Sequence, residues 1–101
     1  IKYKFIVPEK IRSKIIRINI ECDKENTELE LEVSLEGDKY NEKKNFSVQL
    51  ENGRAEIKYR LYEKLPPNNK FVTIKIFDIE SKLKLHESKS YVDLIDDKKL
   101  F

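Results

Sequence analysis

Three small groups of side chains in this sequence are of types that perform chemistry. His86-Glu87-Ser88 places an imidazole, a carboxylate and a hydroxyl in succession, Cys22 supplies one thiol, and Asp78 with Glu80, or Asp93 with Asp96 and Asp97, supplies short carboxylate sets. In extended backbone, alternate side chains point to opposite faces. His86 and Ser88 therefore share one face and Glu87 takes the other, so a nucleophile, base and carboxylate relay does not close within a regular strand. A break near Glu87 to Lys89 would relax that geometry, but no Gly-rich nucleophile elbow accompanies the three residues. A surface or strand-end position is the better reading of His86.

The other groups carry less chemistry. Calcium needs six to eight oxygens, which the carboxylate sets do not reach by themselves, and they fall in solvated turns. There is no Cys-x-x-Cys, His pair or Asp-x-Asp-x-Asp-Gly loop, so the zinc and EF-hand signals are missing. The two glycines, Gly37 and Gly53, lie in no phosphate-cradling loop. Basic residues stand beside aromatics at Lys39, Lys43 and Lys44 near Tyr40, and at Lys75, Lys82 and Lys84 near Phe77. The 19 acidic residues against 21 basic ones oppose a nucleic-acid footprint, and none is expected. Asn45-Phe46-Ser47 is a glycosylation sequon at an expected strand start, too short a motif to fix a compartment. The reading assigns no catalytic, cofactor-binding or metal residue and no cofactor.

The elements that must position these residues are strands. Glu28-Leu29-Glu30-Leu31-Glu32-Val33-Ser34-Leu35-Glu36 alternates apolar with mostly acidic residues, which gives a strand one dry and one wet face. The same period returns in Ile16/Ile18/Ile20/Cys22, Phe46/Val48/Leu50, Ala55/Ile57/Tyr59/Leu61 and Val72/Ile74/Ile76. Alternation and turn residues together predict strands over 2–7, 14–22, 28–36, 45–50, 54–61, 71–78 and 82–94, the last broken near Glu87 to Lys89. Pro8, Asp23 to Asn26, Gly37-Asp38, Asn52-Gly53, Pro66 to Asn69 and Asp78 to Ser81 separate them. Asn52-Gly53 is the strongest turn signal, because both residues tolerate positive φ in a two-residue hairpin. Pro8-Glu9 followed by Ile11, Ile15 and Ile18 also fits a helix start, but β-branched residues favour a strand from Ser13, leaving at most one helical turn before it. Cys22 shares the phase of Ile16, Ile18 and Ile20 and reads as a small core thiol.

Seven strands at this spacing predict an all-β, seven-stranded antiparallel sandwich occupying 1–101 as a single domain. A chain of 101 residues suffices for one core. It begins with Ile and has no Met, which points to a segment excised from a larger chain, with Asp96 to Phe101 leading toward a neighbour. No apolar run reaches the roughly 20 residues that span a bilayer. Charged residues make up 40 % of the chain, yet its net charge is only +2. Lys, Glu and Ile richness gives a thermophile-like composition, which an AT-rich genome also produces. The acidic ladder Glu28/Glu30/Glu32/Glu36 and the basic ladders Arg54/Lys58/Arg60 and Lys75/Lys82/Lys84 are expected to pair across adjacent strands on a solvated face.

Leu65-Pro66-Pro67-Asn68-Asn69-Lys70-Phe71 resembles the turn into the sixth strand of fibronectin type III modules, with Leu65, Pro67 and Phe71 on the Leu, Pro and aromatic positions. Phe71 is out of phase with Val72, Ile74 and Ile76, which would require a bulge, and it lacks the hydroxyl of a tyrosine corner. The family's core Trp is also missing. The resemblance implies an immunoglobulin-like or fibronectin-like sandwich, and modules of that kind serve as spacers or docking units. The expected function is accordingly a non-enzymatic spacer or protein-interaction domain, its partner a protein or neighbouring domains of the same chain. The candidate docking edge is the strand Phe46 to Leu50, although Lys43, Lys44 and Asn45 beside it also read as protection against pairing. The alternatives are a carbohydrate-binding or adhesive module, which would cluster Tyr40, Tyr62 and Tyr91 on one face, and an accessory domain of an enzyme whose catalytic residues lie elsewhere.

Overall fold

The structure, a computed structural model, describes residues 2–24, 27–36, 41–60 and 71–92. They form eight strands: β1 (Tyr3–Ile6), β2 (Lys10–Ile11), β3 (Ile15–Cys22), β4 (Glu28–Glu36), β5 (Asn41–Gln49), β6 (Arg54–Arg60), β7 (Phe71–Asp78) and β8 (Lys84–Val92). One sheet has the order β1-β3-β6 and the other β2-β8-β7-β4-β5. The all-β expectation holds, and all seven sequence-predicted strands have counterparts. The seven-stranded, wholly antiparallel arrangement needs correction. An eighth strand, β2, runs parallel to β8 through Lys10–Tyr91 and Ile11–Val92, so the larger sheet is mixed.

The phase of β4 organises the core. Leu29, Leu31, Val33 and Leu35 are buried while Glu28 is exposed and Glu30, Glu32 and Ser34 are half-exposed. Opposite them, Leu31 registers with Ile76, Val33 with Ile74 and Leu35 with Val72. Ile16, Ile18, Ile20 and Ile57 of the smaller sheet complete the same cluster, so the two sheets share one core in a sandwich-like arrangement. Burying each such aliphatic side chain contributes about 1.5–3 kcal/mol.

The segment before β3 forms no helical turn. Ile11 is buried in the shared core, the Tyr91 amide donates to the Glu9 carbonyl at 2.8 Å, and the Ser90 hydroxyl donates to the Pro8 carbonyl at 2.6 Å. These bonds hold the segment to β8, where the helix pattern of Ile11, Ile15 and Ile18 finds no single face to cover. Strand β5 starts at Asn41, before the expected 45, because its first half is polar at an edge and carries no hydrophobic alternation.

Strand β8 is continuous where a break near Glu87 was expected. The irregularity lies earlier: Ile76 pairs with His86 and Phe77 with Lys84, leaving Leu85 as the extra residue of a bulge. Lys82 leaves the expected basic ladder, since it sits in the preceding turn with φ 61°. Phe71 lies within regular β7, 40 % exposed, opposite Glu36 and Tyr91, so the implied bulge into a core corner does not form. Leu65 to Lys70, Gly37-Asp38 and Asp96 to Phe101 lie outside the described residues.

The Asn52-Gly53 turn conforms to expectation. Both residues have positive φ, 53° and 74°, and Glu51 and Arg54 exchange backbone hydrogen bonds of 3.0 Å. Beyond it the arms diverge, β5 into one sheet and β6 into the other. A Cβ on Gly53 would stand 2.3 Å from the Cys22 carbonyl oxygen, to which backbone the turn is tied by the Cys22 amide donating to the Gly53 carbonyl at 2.8 Å.

Gly53→Ala is expected to cost roughly 1–3 kcal/mol through positive φ and this clash, measured by denaturant unfolding. Ile18→Asp or Ile74→Asp is expected to abolish cooperative unfolding, because each buries an unpaired charge at a fully buried core position. A wild-type melting transition in both would overturn the face assignment.

Candidate functional site

The chemistry-bearing residues fall into four places. The first is the inner wall of β8. As alternation requires, His86, Ser88 and Ser90 turn toward the core, beside Ile76, Ile74 and Val72 in the register, while Glu87 faces outward. His86 is half-buried rather than at the surface, and its ring packs on Phe5 of β1 with centroids 5.1 Å apart. Phe5 in turn stacks on Tyr3 at 5.6 Å. The result is a row of rings across the gap between the sheets, built by the alternation of β1. The Nε2 of His86 and the Oγ of Ser88 are buried without a hydrogen-bond partner among the described residues, whereas the Ser90 hydroxyl is satisfied by Pro8.

Glu87 is drawn away from this row. The bulge at Leu85 puts Lys84 and Glu87 on one outer face despite their odd spacing, and Nζ lies 2.8 Å from Oε1. The hydrogen bond and charge of Lys84 hold the Glu87 carboxyl below its ordinary value. A His-Ser-carboxylate relay is therefore not assembled. Imidazole and carboxylate occupy opposite faces, each fixed by packing of its own.

The second place is a depression of about 590 Å³ at one end of the sandwich, lined by Tyr3, Thr27, Asp78, Ser81, Leu83 and Leu85 among others. Asp78, a sequence candidate for calcium, closes a turn here. Its Oδ2 accepts from the Ser81 hydroxyl at 2.7 Å and from the Ser81 amide at 2.9 Å, and these bonds lower its pKa, the side-chain bond most. Its partner candidate Glu80 is exposed in the same turn. Burial first, then the charges of Cys22, Asp78 and Asp23, raises the pKa of Tyr3. Cys22 is half-buried, its sulfur accepting from the Lys24 amide at 3.3 Å and lying 3.8 Å from the Thr27 hydroxyl. These contacts join the end of β3 to Lys24 and Thr27. Asp93, Asp96 and Asp97 lie outside the described residues.

The third place is the outer face of the five-stranded sheet. Glu32 lies between Asn45 and Lys75 in the register, Lys75 opposes Glu87, and Lys43 Nζ is 3.2 Å from Glu32 Oε1. Of the expected acidic ladder only Glu32 meets a base across a strand pair, Lys75, since Glu28 registers with Gln49, Glu30 with Ser47 and Phe77, and Glu36 with Asn41 and Phe71. Asn45 of the sequon is exposed on it, mid-strand rather than at a strand start. Near its end Phe71 and Tyr91, 40 % and 46 % exposed, meet edge to face at 5.9 Å and 70°, with Lys89 Nζ 5.9 Å from the Phe71 centroid. This aromatic pair was missed because Phe71 read as a corner residue. Its rings are too steeply inclined to form one flat platform. Tyr40 and Tyr62, the other expected sugar-facing rings, lie outside the described residues, as does Lys39.

The fourth place is the outer face of the three-stranded sheet, where the ladder expectation fails. Arg54, Lys58 and Arg60 belong to a different sheet from the acidic ladder of β4. Their cross-strand neighbours on β3 are Glu21, Arg17 and Ile15. Arg17 and Lys58 thus oppose each other directly, a like-charge rung that is unfavourable in isolation. With Lys4 of β1, five exposed cations face two exposed carboxylates, Glu21 and Glu56, whereas the whole chain carries only +2. Sequence counting missed this concentration because strand order, rather than composition, segregates the charges.

No helix among the described residues is long and apolar enough to cross a membrane, and no group of three or more His, Cys, Asp or Glu among them could hold a metal ion. No protein-family model matches the chain, and no curated protein shows significant similarity to it.

The two inner serines of β8 are expected to differ in sign. Ser90→Ala leaves the Pro8 carbonyl unpaired and costs about 1–2 kcal/mol, whereas Ser88→Ala removes an unsatisfied hydroxyl and is neutral or stabilising, both read by urea unfolding. Asp78→Ala is expected to lower the melting temperature at neutral pH. Because folding lowers the Asp78 pKa, the stability it confers is present above the unfolded carboxylate value and is lost as pH falls through the folded value. The gap to wild type should close below about pH 4. A pH-independent gap would assign the loss to something other than this carboxylate.

Proposed function

We propose that this domain is a non-enzymatic immunoglobulin-like or fibronectin-like β-sandwich module that serves as a spacer or protein-interaction domain within a larger polypeptide. The observation that carries the interaction reading is the contrast between the two outer faces. On one sheet Lys75 stands between Glu32 and Glu87, while the other gathers cations around the Arg17–Lys58 rung. A like-charge rung on a solvated sheet lowers the stability of the isolated domain, and an acidic partner relieves it.

The dispersal of reactive groups supports the non-enzymatic part. His86 packs on Phe5 inside, Glu87 pairs with Lys84 outside, and Asp78 is engaged by Ser81. Each has a local structural task, and His86 and Glu87 lie on opposite faces of their strand.

Affinity capture with the parent polypeptide, with and without residues 1–101, tests this reading. The expected result is loss of one defined protein, which then binds the purified domain directly and more weakly as salt is raised. Retention of every partner by the shortened parent would overturn the interaction role, and loss of a glycan in place of a protein would favour a carbohydrate-binding module.

A further inference from the structure

We propose that the depression beside the 78–83 turn is a docking site for a partner polypeptide, taking a short segment in which bulky apolar side chains stand next to Lys or Arg. This inference rests on the protein-interaction reading and adds to the cationic sheet face a second surface, one that selects a basic partner segment.

At about 590 Å³ the depression has room for a few side chains, and its lining lies wholly within the described residues 2–24, 27–36 and 71–92. Tyr3, Ile79, Leu83 and Leu85 supply its apolar part. Leu83 is 63 % exposed, more than any other large apolar side chain among the described residues. The turn that carries it is tied by hydrogen bonds. The Lys82 amide donates to the Asp78 carbonyl and the Asp78 amide to the Leu83 carbonyl, each at 2.9 Å, while Ser81 donates to Asp78 Oδ2 through both its hydroxyl and its amide. Lys82 takes a φ of 61°, a conformation that a residue with a Cβ adopts at a cost, and the next side chain, Leu83, faces water. An apolar group held out by a bonded turn is already ordered for contact, so docking on it costs little further entropy.

Charge selects the occupant. Glu28, Asp78 and Glu80 line the depression against a single lysine, Lys24, and Lys82, although in the same turn, does not line it. The Ser81 bonds first, and the charge of Lys24 after them, hold the Asp78 carboxyl below its ordinary value. Glu28 and Glu80 are exposed and make no ion pair among the described residues. Tyr3 lines the same depression, stacked on Phe5 at 5.6 Å, and its hydroxyl stays protonated among the negative charges of Cys22, Asp78 and Asp23. An ammonium or guanidinium entering there meets carboxylates and an aromatic ring, while its aliphatic stem covers the apolar wall. A phosphate backbone is repelled by the same carboxylates. The exposure of Leu83 favours a polypeptide over a small amine. A small cation seated in the depression leaves Leu83 in water, whereas adjoining side chains of a partner segment cover it.

The probe is a fluorescein-labelled peptide, Ser-Gly-Leu-Arg-Leu-Arg-Gly-Ser, titrated into the intact chain with backbone amide NMR shifts as the second readout. Expected are saturable binding, shifts confined to Tyr3, Lys24, Thr27, Glu28 and 78–85, and affinity that falls as salt is raised. Glu28→Lys combined with Glu80→Lys should weaken binding about tenfold or more, as should Leu83→Ser, with the melting temperature unchanged because all three side chains are exposed. Lys24→Glu should tighten it, so the test does not depend on one direction of change. Absence of saturable binding, equal binding of peptides with Ser in place of Leu or Glu in place of Arg, or shifts centred outside the depression would each overturn the proposal. Phenethylammonium binding there as tightly as the peptide, unaffected by Leu83→Ser, would assign a small-molecule site and also overturn it. Shifts at 78–85 that grow with protein concentration in the absence of peptide would do so by assigning the depression to a second copy of the chain. Capture of the same partner by a parent polypeptide carrying Glu28→Lys, Glu80→Lys and Leu83→Ser would overturn the depression as the docking site while leaving the protein-interaction reading standing. That reading fails instead when deletion of 1–101 loses no partner.

Discussion

The face assignment of β4 constrains everything around it. The strand sits between β5 and β7 and is paired along its full length on one side and nearly so on the other, so a slip of one residue would turn Leu29, Leu31, Val33 and Leu35 outward on both ladders at once. No local repair compensates for that, because the core of the smaller sheet, Ile16, Ile18 and Ile20, packs into the same cluster. The register is therefore set by the largest energetic difference available to the chain, the burial of four aliphatic side chains against the exposure of four polar ones. Turn chemistry at Asn52-Gly53 and the bonds from β8 to Pro8 and Glu9 refine a geometry already determined by that choice.

The same phase decides the electrostatics. Once the apolar residues of β4 face inward, its glutamates must face outward, and β7 and β8 supply Lys75 and Lys84 on the same surface, with Lys43 arriving from β5. Glu28, Glu30, Glu32 and Glu87 stand there among the described residues. What remains for the other outer face is cation-rich, since β6 brings Arg54, Lys58 and Arg60 against Arg17 on β3. Among the described residues, a chain of nearly balanced charge thus segregates its cations toward the outer side of the three-stranded sheet.

Alternation made most of this fold legible. Strands β1, β3, β4, β6 and β7 lie within a residue or two of their sequence-based bounds, because each carries at least two apolar residues in one phase, and that is what sheet burial selects. Three features escaped for different physical reasons. The two-residue β2 is too short to show a period, and its place beside β8 depends on the Ser90 hydroxyl and the Tyr91 amide donating to the Pro8 and Glu9 carbonyls. The polar half of β5 is extended because β4 templates it, so hydrophobicity carries no trace of it. The bulge at Leu85 depends on the partner strand, and it alone brings Lys84 and Glu87 to one face. Of the candidate chemistry, the separation of His86 from Glu87 was readable from period two, whereas the stacking of His86 on Phe5 required knowing which strand of the second sheet lies above it. The cationic face was unreadable for the same reason: Arg17 and Lys58 are distant in sequence and become neighbours only through strand order.

The edge of a sheet leaves backbone groups available for pairing, and the described edges here are handled unequally. Strand β1 is only four residues long, and β2 covers the Tyr91–Val92 end of β8. Strand β6 ends its sheet among the described residues and carries Arg54, Lys58 and Arg60 on its outer side. Those cations discourage pairing between copies of this chain, since two β6 edges brought together would set like charges in register. Repulsion of that kind is selective: a feature that excludes a basic strand attracts an acidic one of the same geometry, and it does so most strongly where Arg17 already stands behind Lys58 without a compensating acid on that rung. Protection from self-association and attraction toward acidic surfaces are thus two consequences of one charge pattern.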